Sequence, residues 1–166
     1  MSVNLSAVSK KGVKTYDNIS FGALSFYNFK NDLLKYATNN HFYSTYQAYD
    51  NGERINIHYY QPDTYVVCMK AKDFPKSWLE HKSVQDYLDR LQHMKMYYPK
   101  MYKIYPFLVH LTYEGEMPYT QCLRLFKLLK EYEKTGKALP KNFDKFMDLL
   151  KIIVSDKKRG RKLIFG

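Results

Sequence analysis

The chain has 166 residues, with 27 Lys and Arg against 16 Asp and Glu, a formal net charge of +11, and 17 Tyr within an aromatic content of 17%. A hydrophobic fraction of 45% excludes a disordered chain and suffices for one core. The longest apolar runs, such as 149–154, are too short to span a bilayer, so no membrane partner is expected.

Cations that track phosphates and rings that stack on bases together suit nucleic acid. Tyr as core filler and charge as an aid to solubility give the same composition. The start, Met1 to Leu5, lacks a charged segment followed by an apolar one, so no signal peptide is expected. Cys68 and Cys122 stand far apart, with no zinc-type spacing. We expect two buried thiols, a reducing cytoplasm, no metal and no cofactor.

In chain order, Ser2 to Tyr16 is polar and basic, with Lys10, Lys11 and Lys14 around Gly12. It is expected as a flexible arm (1–16) or an irregular strand. Ala23 to Thr38 carries Ala23, Phe26, Tyr27, Leu33, Leu34 and Ala37 at helical spacing and is stopped by Asn39-Asn40. Two β-rich runs, His41 to Tyr49 and Arg54 to Tyr60, flank Asn51-Gly52. That pair is the strongest short hairpin signal, because both turn residues need positive φ. A two-residue turn puts Tyr49 opposite Arg54, Thr45 opposite His58 and Tyr43 opposite Tyr60 on one face. Ala48 and Ile55 then pair on the other. Gln61-Pro62-Asp63 leads into a third run, Thr64 to Lys72, which completes a three-stranded antiparallel meander.

A helix is expected from about Ser77 to Tyr97, buried through Val84, Tyr87, Leu88, Leu91 and Met94 and ended by Pro99. Residues 97–106 read as a connector and Phe107 to Tyr113 as a strand, although a short buried helix has the same composition. A helix follows from Pro118 to Thr135-Gly136, then another from Pro140-Lys141-Asn142 to Ser155. Lys157 to Lys162 is a basic tail. The expected fold class is α+β: a small antiparallel sheet, the meander with a candidate fourth strand, packed against about four helices. Residues 17–156 would form a single domain between the arm and the tail, 157–166.

Three segments are candidate nucleic-acid-binding sites. The aromatic face of the hairpin offers Tyr43, Tyr49, His58 and Tyr60 for stacking and Arg54 for a phosphate; a covering helix would make the same rings core. The helix from Pro118 lines its outer side with Arg124, Lys127 and Lys130, although a solvated helix face has this pattern too. In the tail, Lys157, Lys158, Arg159, Arg161 and Lys162 surround Gly160. This Arg-Gly-Arg segment resembles the basic core of an AT-hook, with Lys162 where that motif has Pro. As a polybasic segment it would bind phosphates electrostatically.

No catalytic or metal-ligating set stands out. His110-Leu111-Thr112 resembles the His-x-Thr motif of the 2H phosphoesterases, which implies a histidine acting on a phosphate, but those enzymes need two such motifs. The run 107–113 also looks like the first strand motif of rolling-circle replication initiators; their metal-binding histidines would follow, and no histidine follows His110. The expectation is a non-enzymatic binder of single-stranded DNA with little sequence preference, of the kind a phage or small replicon encodes. The alternative is a phage-type protein-interaction module that inhibits a host enzyme through exposed Tyr. A 2H-like phosphoesterase comes third.

Overall fold

A computed structural model describes residues 2–38, 48–50, 53–55, 58–61, 64–110 and 115–166, with the backbone alone at 38 and 48–64. The strands are β1 (Ser2–Val8), β2 (Thr15–Gly22), β3 (Ala48–Asp50), β4 (Glu53–Ile55), β5 (His58–Gln61), β6 (Thr64–Val67), β7 (Gly115–Met117) and β8 (Lys162–Phe165). The helices are α1 (Ala23–Thr38), α2 (Lys82–Tyr97), α3 (Pro99–Val109), α4 (Tyr119–Lys134) and α5 (Phe143–Val154). Six strands form one sheet in the order β2-β1-β8-β7-β6-β5, while β3 and β4 pair by themselves. Every pairing is antiparallel except β6 with β7. The fold is α+β, as expected.

Strand alternation sets the layers. Val3, Leu5 and Ala7 of β1, Ile19 and Phe21 of β2, and Leu163 and Phe165 of β8 are buried. Ser2, Asn4, Asn18 and Ser20 face the other way and are exposed. Helices α1, α4 and α5 pack against this sheet, and α3 packs between α1, α2 and α4. The layers meet at a cluster of phenylalanines. Phe107 of α3 lies 5.0 Å from Phe146 of α5 and 5.8 Å from Phe165 of β8, and Phe29 of α1 meets Phe146 edge-on at 5.2 Å. Each buried ring contributes about 1.5–3 kcal/mol through lost apolar surface, so this cluster ties the C-terminal strand to three helices.

The two ends of the chain differ from expectation. Residues 2–8 are not a flexible arm but the strand offered as its alternative, with a register shift between Ala7 and Val8: β1 is an interior strand between β2 and β8. Its signal is period two, Val3, Leu5 and Ala7 alternating with Ser2, Asn4 and Ser6, and the lysines that follow belong to the next turn. The tail is not free either. A short 3-10 turn at Lys157–Arg159 leads into β8, which pairs with β1 and β7. Asn4 and Gly166 close that pairing with reciprocal backbone bonds of 2.7 and 2.8 Å.

The meander is also corrected. The turn register holds, with Tyr49 opposite Arg54 and Ala48 opposite Ile55. The run from Arg54 to Tyr60 is nevertheless divided: β4 ends at Ile55, and β5 pairs with β6 in the larger sheet, His58 opposite Val67 and Tyr60 opposite Tyr65. The connector and fourth strand expected at 97–113 are replaced by α3 as far as Val109. Pro99 takes the first helical position, where its missing N–H costs nothing. Ile104 to Val109 are buried without interruption, so the segment has no polar face to reveal its period. Pro106 inside it removes one helical hydrogen bond and masks the helix further.

Candidate nucleic-acid interface

Antiparallel pairing of β1 with β8 sets Val8 opposite Lys162. The residues just after Val8 therefore lie beside those just before Lys162, and both stretches are basic. On one side, the β1–β2 connection is a tight loop. Ser9 and Lys14 are joined by a 2.8 Å backbone bond, and the Ser9 hydroxyl accepts from the Val13 and Lys14 amides at 3.2 and 3.1 Å. This loop holds Lys10, Lys11 and Lys14 at the surface. On the other side, one Asp156 oxygen accepts from the Lys158 amide at 3.0 Å and the other pairs with Arg159 Nε at 3.2 Å.

Gly160 then turns the chain into β8 at φ +58°. The Lys10 stem packs over it, so a Cβ at Gly160 would lie 3.3 Å from Lys10 Cδ and need positive φ as well.

A ring lies at the centre. The β1–β2 register shifts between Ala7 and Val8, whose partners are Asp17 and Thr15, and the residue between those two is Tyr16. The Arg161 guanidinium stacks 4.1 Å from the centre of the Tyr16 ring, and Lys14 Nζ lies 4.9 Å from it. Hydrogen bonding to Arg161, aided by the charges of Arg161 and Lys14 and by Arg159, lowers the phenol's pKa. The two adjoining turns carry seven cations, Lys10, Lys11, Lys14, Lys157, Lys158, Arg159 and Arg161, of which Lys14, Arg159 and Arg161 act on Tyr16. The carboxylates among them are Asp17 and Asp156, and Asp156 is engaged with Arg159.

The expected tail residues divide by role. Lys157, Lys158 and Arg159 are exposed. Arg161 donates to Ile152 O at the end of α5 at 2.9 Å and to Ser155 Oγ at 3.3 Å, so it anchors the turn while facing Tyr16. Lys162 turns away to Glu116 of β7, 2.6 Å distant, with both side chains largely buried. Its ammonium is committed to the sheet.

The α4 residues face a different part of the surface. Arg124 lies 5.9 Å from the Tyr102 ring of α3, Lys127 is exposed, and Lys130 is 3.8 Å from Glu133. In the hairpin, Tyr49 and Arg54 are cross-strand partners in the small sheet, while His58 and Tyr60 belong to the large one. The four therefore do not share one two-stranded face. Tyr43 lies outside the described residues.

His110 is not on a strand. It is the C-terminal cap of α3, buried, with its ring stacked 4.3 Å from Phe165. A Cβ on Gly115, at φ +149°, would overlap the imidazole. Thr112 lies outside the described residues. Cys68 and Cys122 are both buried, and burial pushes the Cys122 thiol up to about 12. Among the described residues, no three His, Cys, Asp or Glu side chains are grouped to hold a metal ion, and no helix is long and apolar enough to cross a membrane.

Sequence reasoning marked both basic segments but did not join them, and it left Tyr16, Lys10, Lys11 and Lys14 out of the site. The available signal was the alternation in β1 and in Leu163-Ile164-Phe165, which makes both flanking segments strands. Comparison with protein families, curated proteins and solved structures finds no match.

Proposed function

We propose that this protein binds nucleic acid without enzymatic action, in the cytoplasm, with single-stranded DNA as its preferred ligand and little sequence preference. The observation that carries the reading is the pairing of β1 with β8, which sets two basic turns with seven cations side by side next to Tyr16. A cluster with this excess of cations over carboxylates attracts a polyanion, and phosphate contacts carry no sequence information. No charged helix is offered to a major groove by this cluster, which is built of two turns, so base-edge readout is not its chemistry. The two buried thiols are compatible with a reducing compartment.

The test is a titration of the full chain with labelled single-stranded and duplex oligonucleotides of one length at several salt concentrations. The expected result is tighter binding to the single strand and a linear fall of log affinity with log salt, with a slope of about −0.7 per neutralised phosphate. Binding indifferent to salt, or a clear preference for duplex, overturns the reading. A tight, salt-resistant protein partner found in place of nucleic acid binding would favour the interaction-module alternative.

A further inference from the structure

The junction of α2 and α3 exposes rings where a folded chain gains nothing from doing so. Met96, Tyr97 and Tyr98 are consecutive and are 64%, 63% and 59% exposed. The His93 ring, one turn back on α2, lies 4.6 Å from the Tyr97 ring and 6.2 Å from that of Tyr98. The group is held in place by its backbone. Tyr98 caps both helices, its amide donating to Met94 O at 2.7 Å and its carbonyl accepting from the Tyr102 amide at 3.0 Å, and Pro99 fixes the first position of α3. The rings are thus presented on a stiff elbow, and fixing them on a ligand costs little backbone entropy.

Along the chain, the charge at the elbow has one sign. Arg90, Lys95, Lys100 and Lys103 lie in a stretch with no carboxylate between Asp89 and Glu114. Asp86 and Asp89 are farther back along α2. Two of these lysines already hold cation–ring contacts: Lys95 Nζ is 5.7 Å from the Tyr102 ring, which Arg124 approaches from α4, and Lys100 Nζ is 4.9 Å from Tyr36 of α1. Open rings flanked along the chain by cations match alternating bases and phosphates; the carboxylate that acts nearby is Glu131 of α4, felt at Tyr36 beside Lys100. An apolar protein partner would need the rings but not the cations.

From this juxtaposition we infer a second contact surface, in which Tyr97 and Tyr98, backed by His93, stack on unpaired bases while Lys95, Lys100 and Lys103 hold the flanking phosphates. The occupant is a single-stranded polynucleotide, and the inference rests on the nucleic-acid reading above. It supplies what the Tyr16 cluster lacks, since that ring is already covered by a guanidinium. Stacking needs a free base face, so this surface discriminates single strand from duplex.

The experiment compares the full chain with the double variant Tyr97→Ser, Tyr98→Ser, using a labelled oligothymidylate and a duplex of equal length. Both residues are exposed, so the variant is expected to melt with the wild type. Its affinity for the oligothymidylate should fall roughly tenfold or more, with duplex affinity and salt slope unchanged. A second measurement needs no variant: wild-type chain irradiated with an oligonucleotide carrying 5-iodouracil should crosslink at Tyr97, Tyr98, His93 or Met96. If the wild type binds the oligothymidylate while the variant binds it equally well, or the crosslinks fall elsewhere, the elbow is not a binding surface and the nucleic-acid reading stands without it. If the wild type binds neither oligonucleotide, the nucleic-acid reading fails and this inference with it. A wild type that self-associates through the elbow, with the variant monomeric, assigns the rings to a second copy and overturns the inference.

Discussion

The Tyr16 cluster and the α2–α3 elbow both combine tyrosine with cations, and they differ in what covers the ring. At Tyr16 the guanidinium of Arg161 occupies a ring face at 4.1 Å, Lys14 lies 4.9 Å from the ring, and the same two turns carry five more cations. At the elbow, Tyr97 and Tyr98 stand open with the cations beside them. The first arrangement concentrates positive potential and leaves little aromatic surface to stack on. The second offers ring faces with a thinner field. Their origins differ as well. The elbow is local, made by consecutive residues at one helix junction, whereas the cluster exists only because β8 returns to pair with β1. A fault in the fold should therefore erase the cluster before it erases the elbow.

The largest effect tests that dependence. Truncation after Asp156 should abolish cooperative folding, because it removes an interior strand along with Leu163 and Phe165. Phe165→Ala alone should cost about 3–5 kcal/mol, read from denaturant melts. A truncated chain that melts like the full one would make the tail an appendage and dissolve the cluster as a built feature. Next in size is Lys162→Met, which strips Glu116 of its partner in a largely buried pair. We expect a loss of about 2–3 kcal/mol, below that of a fully buried pair because some solvent reaches both groups. Salt dependence of binding should not change. A lowered salt slope with unchanged stability would return Lys162 to the phosphate surface.

These outcomes follow from contacts that the sequence discloses unevenly. α1, α4 and α5 were legible because each has an apolar stripe at helical period and a stop at its end, and Asn51-Gly52 fixed its own hairpin register. α3 was not, since its second half, buried without interruption and carrying Pro106, has no polar face to count. β7, three residues long, is too short to show any period. The division of Arg54 to Tyr60 between two sheets was equally hidden, because local alternation does not say which neighbour a strand will choose. The candidate site suffered most from this. Its two basic halves were plain in the sequence, but their meeting is a long-range pairing that no local pattern records.

A comparable effect separates the fold from both surfaces by pH. Lys30 of α1 donates to Leu108 O at 3.3 Å and His110 O at 3.0 Å, holding the end of α3 opposite the elbow. Burial lowers its amine to about 8 from an unfolded value of 10.5. The unfolded chain thus binds the proton more tightly, and stability rises with pH between about 8 and 10.5. Relative to a Lys30→Met variant, the wild type should gain up to about 3 kcal/mol across that window, measured by denaturant melts at each pH. A neutral amine still has two N–H groups, so both hydrogen bonds survive the titration. A difference that stays flat, or falls, would mean that the carbonyls hold the ammonium charged throughout.

The smallest effect on the fold sharpens the comparison most. Lys11→Ser, Lys158→Ser and Arg159→Ser together remove exposed charge from the Tyr16 cluster. The Asp156 pair with Arg159 is exposed and contributes at most about 1 kcal/mol. Stability should move by no more than that. If each cation neutralises one phosphate of a single strand, the salt slope should shrink by about 2, at roughly 0.7 per contact. The loss should be equal for every sequence tested, because phosphates are alike. The elbow variant should do the reverse, weakening single-strand binding while leaving the slope in place. Combining the two sets then becomes informative. Surfaces that engage separate stretches of one strand should give additive losses in free energy, as distant sites do. If instead the cluster variant alone abolishes single-strand preference, stacking and charge are not divided between two regions, and the contrast drawn between them fails.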